Sequence, residues 1–217
     1  MKDASKIYVI GSAVYANWLD FDSVDNIEDA DLVMFTGGAD VFPELYGDFT
    51  HRSTYFDAIR DVKEMKLFER AKELNIPMIG ICRGSQFLTA MQQNGKLIQD
   101  CDNHGINGTH KITTDNGGVL DISSTHHQMM YPYNMDDEDY ELIAWSSINR
   151  SNYYAFGDVE FKDEEMEFDF KEPEIVYYPN DNALAIQGHP EYLGYDHSTC
   201  EYLRNLVNSK LFKHAEA

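Results

Sequence analysis

The chain has 217 residues, 43% of them hydrophobic, which is enough for one sizeable core, and residues 1–217 are read as a single domain. Its 38 acidic residues against 17 basic ones give a formal net charge of -21, which argues against nucleic acid phosphates and anionic lipid as partners. The three cysteines, Cys82, Cys101 and Cys200, show neither metal-ligand nor redox spacing, and their odd number argues against a disulfide framework.

In chain order, residues 6–10 (KIYVI) read as a first strand closed by Gly11-Ser12. Residues 31–35 (DLVMF) read as a second, ending at TGGAD, and residues 76–81 (IPMIGI) as a third, ending at Cys82. None alternates polar with apolar, so all three belong in a sheet covered on both faces. Residues 57–74 carry apolar positions near a 3.6-residue period and predict a helix, stopped by Asn75 and Pro77. Strand, helix, strand in this order predicts a right-handed parallel crossover. Residues 84–93 predict a short helix ending at Asn94-Gly95.

The middle offers short candidate strands at 97–99, 110–114, 119–122, 141–145 and 153–156. Residues 158–174 are densely acidic and read as a hairpin or loop. Phe161, Met166, Phe168 and Phe170 within it suggest contact with the body of the protein. Residues 175–178 and 183–187 resemble a closing hairpin, and residues 198–213 a last helix. The opening MKDASKIYVIG lacks the long apolar run of a signal peptide, and no segment has the length to cross a membrane. A cytoplasmic location is expected.

The strongest local feature is GICRGSQ at 80–86. An apolar strand feeds a turn at Cys82 and a helix follows, the outline of a nucleophile elbow. Gly80 and Gly84 permit close packing around the turn, and the helix start favours a thiolate. A thiolate nucleophile needs a base, and the base needs an orienting group. Eight histidines are available: His51, His104, His110, His126, His127, His189, His197 and His214. His189 fits best, because Glu191 lies two residues on. In STHHQ, adjacent His126 and His127 point apart if they lie on a strand, so one can line a pocket while the other is structural. A metal reading would join them to His104, His110 or His189, but no short-spaced ligand cluster supports it. TGGAD at 36–40 exposes backbone N–H groups yet lacks the Walker and dinucleotide patterns.

These segments together resemble the class I glutamine amidotransferase superfamily, and within it the γ-glutamyl hydrolase branch, peptidase C26, which includes γ-glutamyl-γ-aminobutyrate hydrolases. The resemblance runs in register through TGGADVFPELYG (36–47), RDVKE (60–64), IPMIGICRGSQ (76–86), LIQD (97–100) with His104 and His110, HHQ (126–128) and IQGHPE (186–191). It implies an α/β fold: a mostly parallel central sheet flanked by helices, a flavodoxin-like three-layer sandwich, with a smaller antiparallel region. It assigns Cys82 as nucleophile, His189 as base and Glu191 as orienting acid. Gly38 and Arg83 correspond to the oxyanion backbone donors, and Gly37, Arg60, Glu64, Gln86 and His127 to substrate-binding or supporting residues. The substrate it implies is a small γ-glutamyl amide or glutamine, with no metal or organic cofactor.

The sequence departs from the family pattern in three places. Gly188 stands where a bulky residue, often phenylalanine, usually precedes the catalytic histidine, which would loosen His189 or open the pocket. The stretch between Gly11 and Thr36 is short for this branch. The acidic segment at 158–174 falls where the superfamily varies. Three functions follow as alternatives: a self-contained hydrolase, a glutaminase subunit serving a separate synthetase partner, or a non-catalytic binding protein on the same fold.

Overall fold

A computed structural model describes residues 5–212. His214 and the last predicted position of the closing helix, residue 213, lie outside the described residues, as do the first four residues of the opening segment. The first half of the chain runs β1 (Lys6–Ile10), β2 (Asp22–Ser23), β3 (Leu32–Phe35), α1 (Ala58–Glu73), β4 (Met78–Ile81) and α2 (Arg83–Ala90). Then come β5 (Lys96–Ile98), β6 (Asp100–Cys101), β7 (Gly105–Thr114), β8 (Val119–Thr125), β9 (Met129–Tyr131) and β10 (Glu141–Ser146). The chain closes with β11 (Tyr153–Phe156), β12 (Val159–Lys162), β13 (Pro173–Tyr178), β14 (Ala183–Ile186) and α3 (Ser198–Leu211).

One nine-stranded sheet organises these elements in the order β2-β1-β3-β4-β14-β13-β10-β7-β8. Its first part is parallel: β1 pairs with β2 and β3, β3 with β4, and β4 with β14. From β14 onward the pairs are antiparallel, and β13 with β14 forms the predicted closing hairpin. Two small antiparallel sheets, β12-β11-β6 and β5-β9, make up the rest. The α/β class expected from the sequence is the one observed.

Every residue of β3, β4 and β14 is buried, as strands covered on both faces must be. Alternate residues serve different cores. Met34, Ile79, Ile81, Leu184 and Ile186 pack with Leu203, Leu206, Val207 and Leu211 of α3. Val33, Phe35, Met78, Ala183 and Ala185 pack with Phe68 and Ala71 of α1 and Phe87 and Leu88 of α2. Asp57 caps α1 by accepting from the N–H groups of Ile59 and Arg60. This cap matters for function, because it starts α1 where Arg60 reaches the TGGAD loop and Glu64 pairs with Arg60 and Arg83.

The acidic segment divides between surface and core. All of β12 is exposed, and Phe168 is fully exposed. Phe170 instead is buried against Tyr154 and Met129, with Met166 packed alongside. Glu172 and Glu174, at the end of the segment, are buried, Glu174 within β13.

Candidate active site

Cys82 sits where β4 ends and α2 begins, with φ 53° and ψ -113°. Such a conformation costs a non-glycine residue on the order of 1–3 kcal/mol and persists only when the surroundings enforce it. They do so here by close packing. The Cys82 N–H donates to Ile186 O at 2.8 Å, and its carbonyl accepts from Ser85 and Gln86 to open the helix. A Cβ on Gly84 would lie 2.0 Å from Phe35 O, and one on Gly80 2.4 Å from Gly84 O. Both glycines are therefore required for α2 to rest directly on β3 and β4. Arg83 is the first residue of α2, so its N–H has no acceptor within the helix.

His189 follows β14, the strand beside β4, and this adjacency brings it to Cys82. Its Nδ1 lies 2.7 Å from Glu191 Oε1, and both side chains are buried. Burial opposes charge on the imidazole, but the neighbouring Cys82 sulfur and the Glu191 carboxylate outweigh it and raise the pKa from 6.5 to about 10. Tyr192 stacks on the imidazole with centroids 4.7 Å apart, and Tyr15 approaches at 5.9 Å. Tyr15 is pushed up to about 12 by burial first, then by Glu191 and Cys82.

Gly188 is explained by its neighbour strand. A Cβ there would lie 2.3 Å from Ile122 Cγ1 and 2.7 Å from Ser123 O. The room a bulky residue would need is filled by β8. Ser123 also accepts from the His189 N–H at 2.9 Å and donates to the His189 carbonyl at 2.8 Å. The expectation that Gly188 loosens His189 or opens the pocket is thus corrected: the glycine lets β8 clamp the histidine.

On the other side stands the TGGAD loop. Gly38 has φ +142°, a conformation that favours glycine, and a Cβ there would collide with Arg60 Nη1 at 2.1 Å. Arg60 donates to the carbonyls of Gly37 (3.0 Å) and Thr36 (2.9 Å) and to Glu64 at 2.7 Å. Glu64 and Asp61 both pair with the buried Arg83 guanidinium, and Asp61 accepts from the Phe42 N–H at 3.1 Å. The network locks the glycine loop, α1 and α2 into one body. Arg60 and Glu64 therefore hold the loop from behind, and neither they nor Gly37 line the pocket that opens over Cys82.

That pocket, of about 240 Å³, is lined by Gly38, Ala39, Asp40, Tyr55, Cys82, Arg83, Gln86, Thr125, His126, His127 and Gln128. Gln86 donates to Gln128 O at 2.9 Å, which ties α2 to the STHHQ turn. The two adjacent histidines diverge, as expected. His127 lies half-exposed between Asp40 (3.3 Å) and Asp100 (3.2 Å), and its hydrogen bond to Asp40 holds its pKa above the ordinary value despite opposing burial. His126 is buried, and burial, then His104, push its pKa well below the ordinary value. Sequence reasoning did not name Tyr15, Asp40, Asp61, Ser123 or Tyr192. Asp61 was visible within RDVKE, whereas Ser123 and Tyr15 reach His189 only through the tertiary fold. Among the described residues no helix is long and apolar enough to cross a membrane.

A profile of the peptidase C26 family matches residues 14–139. The glutamine amidotransferase-like YvdE homolog of Lactococcus lactis subsp. cremoris is 39% identical over 87 residues, covering 38% of this chain and 46% of that protein. The aligned stretch thus spans less than half of that relative's length. PurLQS of Thermotoga maritima aligns with a TM-score of 0.60 at 16% identity, over 94% of this chain and 98% of that one. The acivicin-bound glutaminase domain of Trypanosoma brucei CTPS aligns with a TM-score of 0.55 at 12% identity, over 94% and 93%. At such identities these two likenesses speak for the fold alone.

Proposed function

This chain belongs to the peptidase C26 family, within the class I glutamine amidotransferase superfamily, and from that premise we propose that it hydrolyses a γ-glutamyl amide through a thioester on Cys82. The observation that carries the proposal is Cys82 in a strained strand-to-helix turn, at the end of the strand beside the one that delivers His189, whose imidazole Glu191 holds at 2.7 Å. The raised pKa of His189 favours its imidazolium, the form that can give a proton to the leaving nitrogen.

The Cys82 thiolate attacks the γ-carbonyl carbon. The N–H groups of Gly38 and Arg83 take the oxyanion, and the locked loop-helix body keeps them in place before the charge develops. The tetrahedral intermediate collapses, the C–N bond breaks, and His189 gives its proton to the leaving nitrogen. His189 then draws a proton from water, which attacks the thioester and releases glutamate. Glu191 fixes the imidazole tautomer and stabilises its charge. Glutamine as substrate releases ammonia, and a γ-glutamyl amide releases an amine.

A second reading is a glutaminase that delivers ammonia to a separate synthetase. The fold is compatible with it, since the CTPS glutaminase domain shares that fold. One experiment separates the two: glutamate release by the purified chain across glutamine and a panel of γ-glutamyl amides, beside Cys82→Ala. Turnover of one amide, lost in the variant, supports the stand-alone hydrolase. No turnover, with Cys82 still alkylated by a glutamine-like electrophile, supports the partner-dependent glutaminase. No turnover and no alkylation sinks both.

A further inference from the structure

Behind the pocket wall, three elements bring ligating side chains together. His104 lies just before β7, His126 just after β8, and Glu174 in β13. All three are buried, at 0%, 5% and 1% exposure. One ligating atom from each lies within 4.8 Å of the others. His126 Nδ1 is 2.8 Å from Gln128 O. That carbonyl can only accept, so the proton sits on Nδ1 and Nε2 carries a bare lone pair. Among the described residues, neither His126 Nε2 nor Glu174 Oε2 has a hydrogen-bond partner.

His104 Nε2 is paired with the buried Glu172 Oε2 at 3.0 Å, which leaves Nδ1, with only a 3.4 Å contact to Ser124 Oγ, as its ligating atom. Unpaired lone pairs gathered in a dry interior are unfavourable unless a cation lies between them. We propose that His104, His126 and Glu174 form a zinc-class divalent metal site. Two imidazoles and one carboxylate suit zinc and its first-row neighbours, whereas magnesium and calcium prefer all-oxygen shells. The outer contacts agree: Gln128 O orients His126, and His110 Nε2 engages the other oxygen of Glu174 at 2.7 Å. Zinc bonds of about 2.0–2.2 Å draw the three ligands closer together, which side-chain rotation accomplishes. The metal fastens β7, β13 and the STHHQ turn. Because His126 also lines the pocket over Cys82, the metal holds that wall and takes no part in the chemistry.

The test uses the full chain, stripped with a chelator and titrated with zinc chloride alone. Calorimetry is expected to give one equivalent bound, and Tm to rise by roughly 5–10 °C at a hundredfold excess over Kd. Cys82→Ala should bind as the wild type does, while His104→Asn and Glu174→Gln should lose binding. Cobalt in the wild type provides a readout independent of the variants' folding: its spectrum should lack thiolate charge-transfer bands. Wild type that takes up no zinc at unchanged Tm overturns the proposal. So does binding lost in Cys82→Ala, or a thiolate band, because either places the metal on the nucleophile.

Discussion

Adding a single methyl group at Gly188 tests whether β8 clamps the histidine. In Gly188→Ala the new carbon lies 2.3 Å from Ile122 Cγ1, about 1 Å short of the 3.4 Å at which ordinary contact begins. Ser123 O, at 2.7 Å, blocks retreat along the strand. The segment carrying His189 must therefore shift by a sizeable part of that ångström, and the two Ser123 hydrogen bonds stretch with it. Overpacking of this kind costs about 1–3 kcal/mol. In a chain of this size that lowers Tm by roughly 2–12 °C. A catalytic group misplaced by 1 Å costs on the order of 100-fold in rate. The assay is kcat for glutamate release beside thermal unfolding. The expected result is a kcat down about 100-fold with a modest loss of Tm. Adding Ile122→Ala should recover part of the rate, giving a non-additive pair. Wild-type kcat and Tm in Gly188→Ala would refute the clamp.

Three further outcomes follow from the same geometry. Ser123→Ala removes the acceptor of a buried N–H, so it should cost about 1–3 kcal/mol and lower kcat more than it changes KM, read by urea unfolding and steady-state kinetics. Glu64→Ala leaves the buried Arg83 with only Asp61, and a loss of about 3–5 kcal/mol is expected by urea unfolding. The pKa of His189 is raised from 6.5 to about 10, so its contribution to stability is complete below about pH 6.5 and is lost as pH rises through 10. Glutamate release should decline over that same alkaline limb, and Glu191→Gln should move the decline to lower pH. A wild-type profile falling near pH 6.5 contradicts this.

Much of the parallel half of the sheet was legible because its strands are buried on both faces and appear as unbroken apolar runs. β1 and β11 occupy the predicted residues, and β3, β4 and α1 lie within the predicted runs. β2 and β12 carry no such mark because all their residues are exposed, and β6 and β9 are too short to show a pattern. The nucleophile turn could be read because its requirements are local: two glycines, an apolar strand and a helix start. The partnership of Ser123 with His189 could not, since it depends on a neighbouring strand. Likewise, the metal reading joined His126 to His104 but could not find Glu174, which meets them only where the starts of β7 and β13 lie near the end of β8. The acidic segment hid Glu172 and Glu174 among residues that remain in solvent.

The central claim is a glutamyl group carried on Cys82, and rapid acid quench of the turning-over enzyme followed by intact-protein mass measurement tests it most directly. The account predicts one glutamyl acyl group on the wild type, located at Cys82 and absent from Cys82→Ala. Glutamate release at the wild-type rate by Cys82→Ala, or the same adduct on that variant, would contradict it.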